Sequence, residues 1–448
     1  MYFRQILHGD LGCASYLIAD RGEAAVVDPK WEIGVYLQVA AEARAQIRHV
    51  LETHNHADHV SGRRRLMAAT GARAHVPPSA PGAPAGYGGV IELGGVEIVA
   101  VPTPGHRPEH TAYLVCEGGT PRRLLAGDSL LVGDVARPDL AVAADQGARE
   151  LWESLQRLLA LDDEVQVWPA HVGGSLCASR NASADTSSTI GRERAGNPLL
   201  SCADADTFVA QITRCIRARP PRVERIVELN RSGAQHPGPV REFEAEPLAR
   251  LLDSRACIID LREPDAFDTG HLPGSVNLPA SARGLGTRAG WAAGEDPIVL
   301  VAPTVGQAHT AAELLRAAGV WKLAGLTVAD PEAWRAAGLS VREGVAVSAD
   351  ALTAALQDRQ LTLVDVRDPE EWEALHVAGS RSLPLAQLGD GSRVADLSAP
   401  VAVVCATGIR AAVAASILRR RGCEPAWRVR GGVEDLAHCG AAMARGLS

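Results

Sequence analysis

The sequence predicts an α/β protein of several domains, and three observations lead to this prediction. The chain has 448 residues, more than one hydrophobic core usually serves, so two to four domains are expected. The region before residue 175 alternates strand-like apolar runs with helix-like segments. Residues 243 to 448 contain an internal repeat in which strand-like runs also alternate with helices. This alternation indicates parallel sheets covered by helices.

Composition and charge exclude several classes of protein. The chain is 46% hydrophobic and 22% charged, as is typical of globular proteins. Its net charge of -8 argues against binding to nucleic acid or an anionic membrane, because both require a basic surface. The first ten residues, MYFRQILHGD, lack the apolar centre of a signal peptide, and no apolar run is long enough to span a membrane. We therefore expect a cytoplasmic protein, with its oligomeric state open and a homo-oligomer included.

The first predicted domain, residues 1–240, carries histidines and aspartates after its strand-like runs. The stretch THNHADHVSG at 53–62 is the densest cluster. The later runs TPGH, LLAGD and VWPAH each end in one further group of this kind. Because strand ends converge at one edge of a sheet, these groups are expected to form a metal site. The seven residues are His54, His56, Asp58, His59, His106, Asp128 and His171.

The pattern HxHxDH with three later ligands resembles the metallo-β-lactamase fold, an αββα sandwich. Within that fold, GDSLLVGDVARPDL at 127–140, PAHVGGSLC at 169–177 and SSTIGRERAGNPLL at 187–200 resemble persulfide dioxygenases. Two positions depart from that pattern: Ala136 stands where glycine is expected, and Arg107 where threonine is commoner.

The resemblance implies two alternative uses of the seven residues. In persulfide dioxygenases the ligands matching His54, His106 and Asp128 hold one Fe(II), which leaves coordination positions open for a persulfide and O2. The other four residues would then orient ligands or substrate from a second shell. In glyoxalase II-like hydrolases all seven hold two metals, which activate a hydroxide for thioester hydrolysis. The sequence does not decide between these uses.

Several other residues of this domain have two alternative interpretations each. Arg137 either contacts substrate or forms a salt bridge with Asp139. Arg192 and Arg194 either bind the carboxylates of a thiol substrate such as glutathione persulfide or are surface charges. Cys202 is either an auxiliary sulfur relay or a structural cysteine. His110 is expected at the edge of the pocket, and the remaining cysteines outside the repeat are expected to pack.

The repeat predicts two copies of one α/β domain, at residues 243–342 and 346–448. IIDLREPDAFDTGHLPGSVNLP at 258–279 and LVDVRDPEEWEALHVAGSRSLP at 363–384 superpose with a constant offset of 105 residues. Each is followed by an apolar strand, a loop and a helix. The two copies are therefore expected to be parallel α/β domains, with function at the carboxyl ends of their strands.

The loop CATGIR of the second copy predicts a reactive cysteine. Cys405 follows a strand and precedes a helix, so backbone N–H groups and Arg410 would surround its sulfur and stabilise a thiolate. Together with its flanking motifs, this copy resembles a rhodanese, which carries sulfane sulfur as a cysteine persulfide at the position of Cys405. The first copy has Ala302 and Gln307 at the corresponding loop positions, so we expect it to be catalytically silent.

The resemblances together imply an enzyme with two sulfur reactions, like bacterial fusions of persulfide dioxygenase and rhodanese. We expect iron-dependent oxidation of a low-molecular-weight persulfide by O2 to sulfite, and sulfur transfer from Cys405 to sulfite that gives thiosulfate. The opposite direction, in which the rhodanese supplies persulfide to the iron from thiosulfate, stays open. The alternative is a dizinc thioester hydrolase of the glyoxalase II type with a sulfur carrier appended. A third, non-enzymatic reading is a sulfur-sensing scaffold, which a ligand set with open positions disfavours.

Overall fold

The structure, a computed structural model, describes residues 1–77, 89–173, 177–179, 183–214, 216, 219, 222–233, 237–244, 256–282, 284–357, 361–388, 397 and 400–446. The chain divides into two compact units. The first consists of Met1–His236 with Ala317–Gly319, and the second of Pro237–Arg316 with Val320–Ser448. The packing role expected for Cys215 lies outside the described residues. No helix in the described part of the chain is both long and apolar enough to cross a membrane.

The first unit is built on two sheets. A five-stranded sheet has the order β1-β2-β3-β4-β5, formed by Tyr2–His8, Cys13–Asp20, Glu23–Val27, Gln46–Leu51 and Arg73–His75. The following strands are β6 Val90–Leu93, β7 Val96–Pro102, β8 Thr111–Glu117, β9 Thr120–Gly127, β10 Leu130–Leu131, β11 Asp134–Val135, β12 Gln166–Pro169 and β13 Ser188–Thr189. Six of them form a second sheet in the order β13-β12-β9-β8-β7-β6, and β10 pairs with β11.

Helices cover the outer faces of both sheets. The helices described in this unit are α1 Gly34–Glu42, α2 Arg63–Thr70, α3 Ala144–Leu159, α4 Ile190–Gly196, α5 Ala205–Thr213 and α6 Val223–Ser232, of which α1, α2, α3 and α5 pack on these faces. Neighbouring residues of a strand face opposite sides, so Ile18 packs between the sheets whereas Leu17 packs beneath α1 and α2. On the second sheet, Leu124 packs outward against α3 and α5. The first unit is therefore the predicted αββα sandwich.

The first rhodanese-like copy in the second unit has a parallel four-stranded sheet. Its strands are β14 Cys257–Asp260, β15 Val276–Asn277, β16 Ile298–Ala302 and β17 Leu323–Val328, in the order β15-β14-β16-β17. Its helices are α7 Pro264–Asp268, α8 Leu285–Ala293, α9 Val305–Ala317 and α10 Pro331–Ala336. All residues of β14 and β16 are buried, as expected of parallel strands covered on both faces.

The second copy repeats this arrangement. Its strands are β18 Ala346–Val347, β19 Thr362–Asp365, β20 His376–Val377, β21 Arg381–Ser382, β22 Val401–Val404, β23 Ala426–Val429 and β24 Met443–Ala444. Five of them form a parallel sheet in the order β18-β23-β22-β19-β21, and β20 pairs with β24. The helices are α11 Ala349–Gln357, α12 Pro369–Ala374, a 3₁₀ helix Leu385–Leu388, α13 Ile409–Arg420 and α14 Val433–His438. This confirms the prediction of two parallel α/β domains.

The two copies pack against each other through one hydrophobic core. Leu300 and Leu315 of the first copy belong to the same buried cluster as Val403 and Ile417 of the second. The backbone N–H of Asn277 donates a hydrogen bond of 3.0 Å to the Ser416 hydroxyl across this junction. The two copies are therefore packed together as one compact unit.

Candidate functional sites

Three side chains of the first unit converge at the ends of three strands. His54 follows β4, His106 follows β7 and Asp128 follows β9, and all three are fully buried. Each offers one ligand atom, and these three atoms lie within 4.8 Å of one another. The Asp128 Oδ2 atom lies 3.4 Å from His106 Nε2 and 3.8 Å from His54 Nε2. The sequence prediction placed the same three residues together.

These three ligand atoms have no hydrogen-bond partner among the described residues. Buried polar atoms are nearly always satisfied in folded proteins, so three such atoms facing one another indicate a group that binds between them. Burial and the neighbouring His56 and His106 lower the pKa of His54 well below its usual value, which favours the neutral imidazole that metals require. The arrangement therefore fits a cation.

The opposite edges of the three side chains are held by hydrogen bonds. His106 Nδ1–H donates to the carbonyl oxygen of Arg137 at 2.8 Å. His54 Nδ1–H donates to the Thr53 hydroxyl at 2.9 Å, and the hydroxyl in turn donates to Asp28. These contacts fix each ring so that its Nε2 lone pair points toward the centre.

His171 connects this triad to a second cluster. Its Nδ1 lies 2.6 Å from Asp128 Oδ1, and its Nε2 lies 2.9 Å from Asp58 Oδ2. Burial alone would lower the pKa of His171, but the two carboxylates raise it well above its usual value. The same contact outweighs the effect of burial on Asp128 and holds its pKa at about 2. His171 therefore orients Asp128 in this structure.

The second cluster consists of His56, Asp58 and His59, whose ligand atoms also lie within 4.8 Å of one another. His56 Nδ1 and His59 Nε2 lack hydrogen-bond partners among the described residues. Asp58, in contrast, is bonded to both His59 and His171. This cluster could hold a second cation, but His56 is not part of the three-ligand group around Asp128.

Asp28 organises the HxHxDH segment, and the sequence analysis missed it. Its carboxylate accepts hydrogen bonds from the Thr53 backbone N–H at 2.7 Å, the Thr53 hydroxyl at 2.8 Å and His56 Nε2 at 3.1 Å. Asp28 ends the apolar run VVD, just as Asp128 ends the run LLAGD. That shared position at a strand end was a signal that could have identified it.

His110, expected at the edge of the pocket, is fully buried, and its ring lies 5.2 Å from that of His54. Its Nε2 accepts a hydrogen bond of 2.8 Å from the Asp128 backbone N–H, and its Nδ1–H donates to Thr103. Gly127 makes room for this contact: a Cβ there would lie 2.5 Å from His110 Nε2, and its φ is +56°. The glycine before Asp128 therefore allows His110 to position the ligand's backbone.

Cys13, expected only to pack, also contacts the second cluster. Its Sγ donates to Asp58 Oδ2 at 3.2 Å and lies 3.3 Å from His171 Nε2. Burial and the Asp58 charge raise the pKa of this thiol to about 12. Cys13 is therefore a neutral hydrogen-bond donor at this position.

Of the three arginines considered for substrate binding, two pair with aspartates and one is exposed. Arg137 forms two hydrogen bonds of 2.7 and 2.8 Å with the carboxylate of Asp139, the salt bridge that was one of its two readings. Arg194 pairs with Asp163, and Arg192 is exposed. Cys202 is half-buried and packs against the core beneath α3 and α5. None of these contacts brings Arg192, Arg194 or Cys202 to the triad.

The second unit contains a buried cysteine at the start of a helix. Cys405 directly follows β22, and its side chain is fully buried. Its Sγ accepts hydrogen bonds from the backbone N–H groups of Gly408, at 3.1 Å, and Ala411, at 3.4 Å. Gly408 has a φ of +89°, a conformation that residues with a side chain rarely adopt. These N–H groups at a helix N-terminus can stabilise a thiolate or a persulfide anion.

Arg410 does not contact the sulfur in this structure. Its Nη1 and Nη2 atoms donate to the two carboxylate oxygens of Glu371 at 2.6 and 2.8 Å. Burial would lower the pKa of Arg410, but these bonds raise it above its ordinary value. Arg410 therefore belongs to the wall of the Cys405 loop as one half of an ion pair.

Comparisons with known proteins agree with this architecture. Residues 8–171 match the metallo-beta-lactamase superfamily, and residues 244–337 and 348–439 each match the rhodanese-like domain. The exact limits predicted for the three domains stay predictions.

The curated relatives match part of the chain. A hydroxyacylglutathione hydrolase of Francisella tularensis subsp. novicida is 29% identical over 180 residues, which are 38% of this chain and 66% of the relative. One from Methylobacterium sp. is 32% identical over 34% of this chain and 58% of the relative. The chain thus spans less than two thirds of the length of these relatives.

Solved structures with similar folds include a metallo-beta-lactamase from Staphylococcus aureus subsp. aureus COL. It is 28% identical, with a TM-score of 0.65, and the match covers 73% of this chain and 99% of that one. ETHE1 from Myxococcus xanthus is 29% identical with a TM-score of 0.45, over 52% of this chain and 99% of that one.

Proposed function

Since the chain joins a metallo-beta-lactamase superfamily domain to two rhodanese-like domains, we propose that it catalyses two consecutive sulfur reactions. The first is the iron-dependent oxidation of a low-molecular-weight persulfide, such as glutathione persulfide, by O2. The second is the transfer of sulfane sulfur through Cys405. The observation that carries the first reaction is the set of three facing, unpartnered ligand atoms on His54, His106 and Asp128.

The donor set suits ferrous iron. Two imidazoles and one carboxylate form the ligand triad of many non-haem Fe(II) oxygenases. When bound there, Fe(II) would supply open coordination positions at which persulfide and O2 can react. The protein's contribution is to hold the ligands: Thr53 and the Arg137 carbonyl fix the two imidazoles, and His171 and His110 fix Asp128.

The overall reaction balances as RSSH + O2 + H2O giving RSH + sulfite + two protons. The terminal sulfur is oxidised, O2 is reduced, and the thiol leaves unchanged.

At the second site the Cys405 thiolate attacks the sulfane sulfur of another persulfide. The S–S bond of the donor breaks, its thiolate leaves, and Cys405 becomes a persulfide. Sulfite then attacks the terminal sulfur, which forms thiosulfate and returns the Cys405 thiolate. The N–H groups of Gly408 and Ala411 stabilise the anionic sulfur in both states. Sulfite made at the first site is the acceptor at the second.

The test of the first reaction is O2 uptake by protein purified without air. We expect one iron per chain, and uptake of O2 with glutathione persulfide that His106→Ala reduces by at least about 100-fold. His49→Ala is the matched control, because His49 pairs with His75 in the same unit and lies outside the cluster. Iron-loaded wild-type protein without O2 uptake would contradict the proposal.

The second candidate function is hydrolysis of a glutathione thioester with two metal ions. The unpartnered atoms of His56 and His59 favour it, and so does the similarity to hydroxyacylglutathione hydrolases. The variant His59→Ala separates the two functions by metal analysis. A hydrolase would lose one of two metals, whereas the dioxygenase would retain its single iron.

A further inference from the structure

Helix α8 of the silent copy packs into the hydrophobic core that the two copies share. Its Leu285 and Ala289 are buried in the core cluster that also contains Cys405 and Leu388. The helix also contacts the 3₁₀ helix Leu385–Leu388. Arg288 lies on α8 between Leu285 and Ala289, so its backbone is fixed at the junction between the copies.

Arg288 brings a positive charge to this loop from the other copy. Its side chain interacts electrostatically with Arg410, Cys405 and Asp368. Burial, together with the charge of Arg410, lowers the pKa of Arg288 below its ordinary value, whereas Cys405 and Asp368 oppose this shift. A positive charge held near another positive charge is stabilised when an anion binds between or beside them.

The two arginines near Cys405 differ in their partners. The guanidinium of Arg410 is neutralised by Glu371 through two hydrogen bonds. The guanidinium of Arg288 makes no hydrogen bond or ion pair with any residue that the structure describes. Of these two charges, only that of Arg288 is free to bind a substrate anion.

We infer that Arg288 binds the sulfur oxyanion that reacts at Cys405, namely sulfite as acceptor or thiosulfate as donor. This inference rests on the proposed sulfur transfer. A guanidinium can donate two parallel hydrogen bonds to such an oxyanion, and the dianion gains more from them than a monoanion does. Sulfite held in this way attacks the terminal sulfur of the Cys405 persulfide, so that thiosulfate leaves and the Cys405 thiolate remains. The silent copy thereby supplies part of the active copy's site.

The experiment measures thiosulfate formation by the full-length protein with glutathione persulfide as donor and sulfite varied. We expect Arg288→Gln to raise the KM for sulfite by about 10- to 100-fold, the usual effect of losing hydrogen bonds to a charged group. Arg288→Lys keeps the charge but not the planar donor pair, so it should recover part of this loss. Arg335→Gln is the matched control, because Arg335 is an exposed arginine of the same copy.

Two readouts separate binding from a structural role. Loading of Cys405 with sulfur from glutathione persulfide, followed by mass spectrometry, should be equal in wild type and Arg288→Gln. The KM for cyanide, a monoanionic acceptor without oxygen atoms, should change by less than about threefold. An equal loss of loading and of both acceptors would overturn the inference in favour of a structural role.

An unchanged KM for sulfite in Arg288→Gln, with active wild-type protein, would overturn the role of Arg288 alone. Wild-type protein that neither loads Cys405 nor forms thiosulfate would instead overturn the proposed sulfur transfer, and the role of Arg288 with it.

Discussion

In both rhodanese-like copies, an aspartate at the end of a central strand pairs with the arginine two residues later. Asp260 with Arg262, and Asp365 with Arg367, form bidentate pairs with contacts between 2.6 and 3.2 Å. Each arginine also donates to a backbone carbonyl eight residues further along, in the loop after the next helix. A histidine stacks on an aromatic ring in both, with centroids 3.9 Å apart in the first copy and 3.6 Å in the second. The frame of the domain is therefore the same in the two copies.

The two copies differ around Cys405. Where the active copy has Cys405, Arg410 and Glu371, the silent copy has Ala302, Gln307 and Ala266. The sulfur and both halves of the adjoining ion pair are thus absent together. The comparison suggests a hypothesis that can be tested: the buried pairs maintain the fold, and the few positions around Cys405 determine the proposed sulfur transfer.

Replacing the sulfur should give the largest effect. Cys405→Ser removes the sulfur carrier, so we expect thiosulfate formation to fall by about 1,000-fold or more. Oxygen uptake should be unchanged, because it is proposed to occur in the first unit. Cys439→Ser, in the same copy and half-buried, is the control. Equal loss of both activities in Cys405→Ser would show that the two reactions share one site.

Replacing the buried ion pairs tests whether they stabilise the two copies equally. Asp365→Ala and Asp260→Ala each leave a buried guanidinium without its carboxylate, which is expected to lower the free energy of unfolding by about 3–5 kcal/mol. Denaturant unfolding of the full chain measures the loss of unfolding free energy in both variants. If one replacement cost under about 1 kcal/mol and the other several, the two pairs would not play equivalent roles.

Introducing the differing residues into the silent copy tests whether they are sufficient for sulfur transfer. The backbone N–H of Gly408 reaches the sulfur in a conformation with a φ of +89°, and Val305 occupies the corresponding position in the silent copy. We therefore expect Ala302→Cys with Gln307→Arg and Ala266→Glu to restore almost no sulfur transfer to Cys405→Ser protein. Adding Val305→Gly should raise the recovered activity by about tenfold, because valine strongly disfavours positive φ.

The sulfur transfer recovered by the triple replacement without Val305→Gly tests the role of the Gly408 N–H contact. Substantial transfer by the triple replacement alone would mean that the N–H contact of Gly408 contributes little. Mass spectrometry of the loaded protein identifies which cysteine carries the sulfur.

Local sequence patterns predicted the fold and the main residues of both sites. The seven predicted metal-site residues follow strands, and strand ends at one edge of a sheet converge whatever the details of packing. The repeat was equally visible because its two copies differ by a constant offset. Both features are patterns of residues along the chain, so they can be recognised in the sequence without the structure.

Contacts between distant segments were not predictable in the same way. The hydrogen bond from the Asp128 backbone N–H to His110 joins two segments 18 residues apart, and the sequence analysis did not predict it. Arg410 was expected to face Cys405, yet Glu371, 39 residues earlier, holds it. The approach of Arg288 to Cys405 depends on how the two copies pack. No pattern within a single segment could show these contacts.

The smallest expected effect concerns the ion pair that only the active copy has. Burial would raise the pKa of Glu371, but its hydrogen bonds and charge interaction with Arg410 hold that pKa below its ordinary value. A carboxyl group with a lowered pKa in the folded state stabilises the protein above its unfolded-state pKa, and this contribution is lost as pH falls through the folded-state value. At pH 7, Glu371→Gln should lower the free energy of unfolding by about 0.5–1 kcal/mol, a modest value because the pair is partly exposed to solvent. The difference from wild type should shrink as the pH is lowered below about 4, whereas the exposed Glu373→Gln should show no such dependence. A difference that stayed constant with pH would mean that Glu371 stabilises the loop by packing rather than by charge.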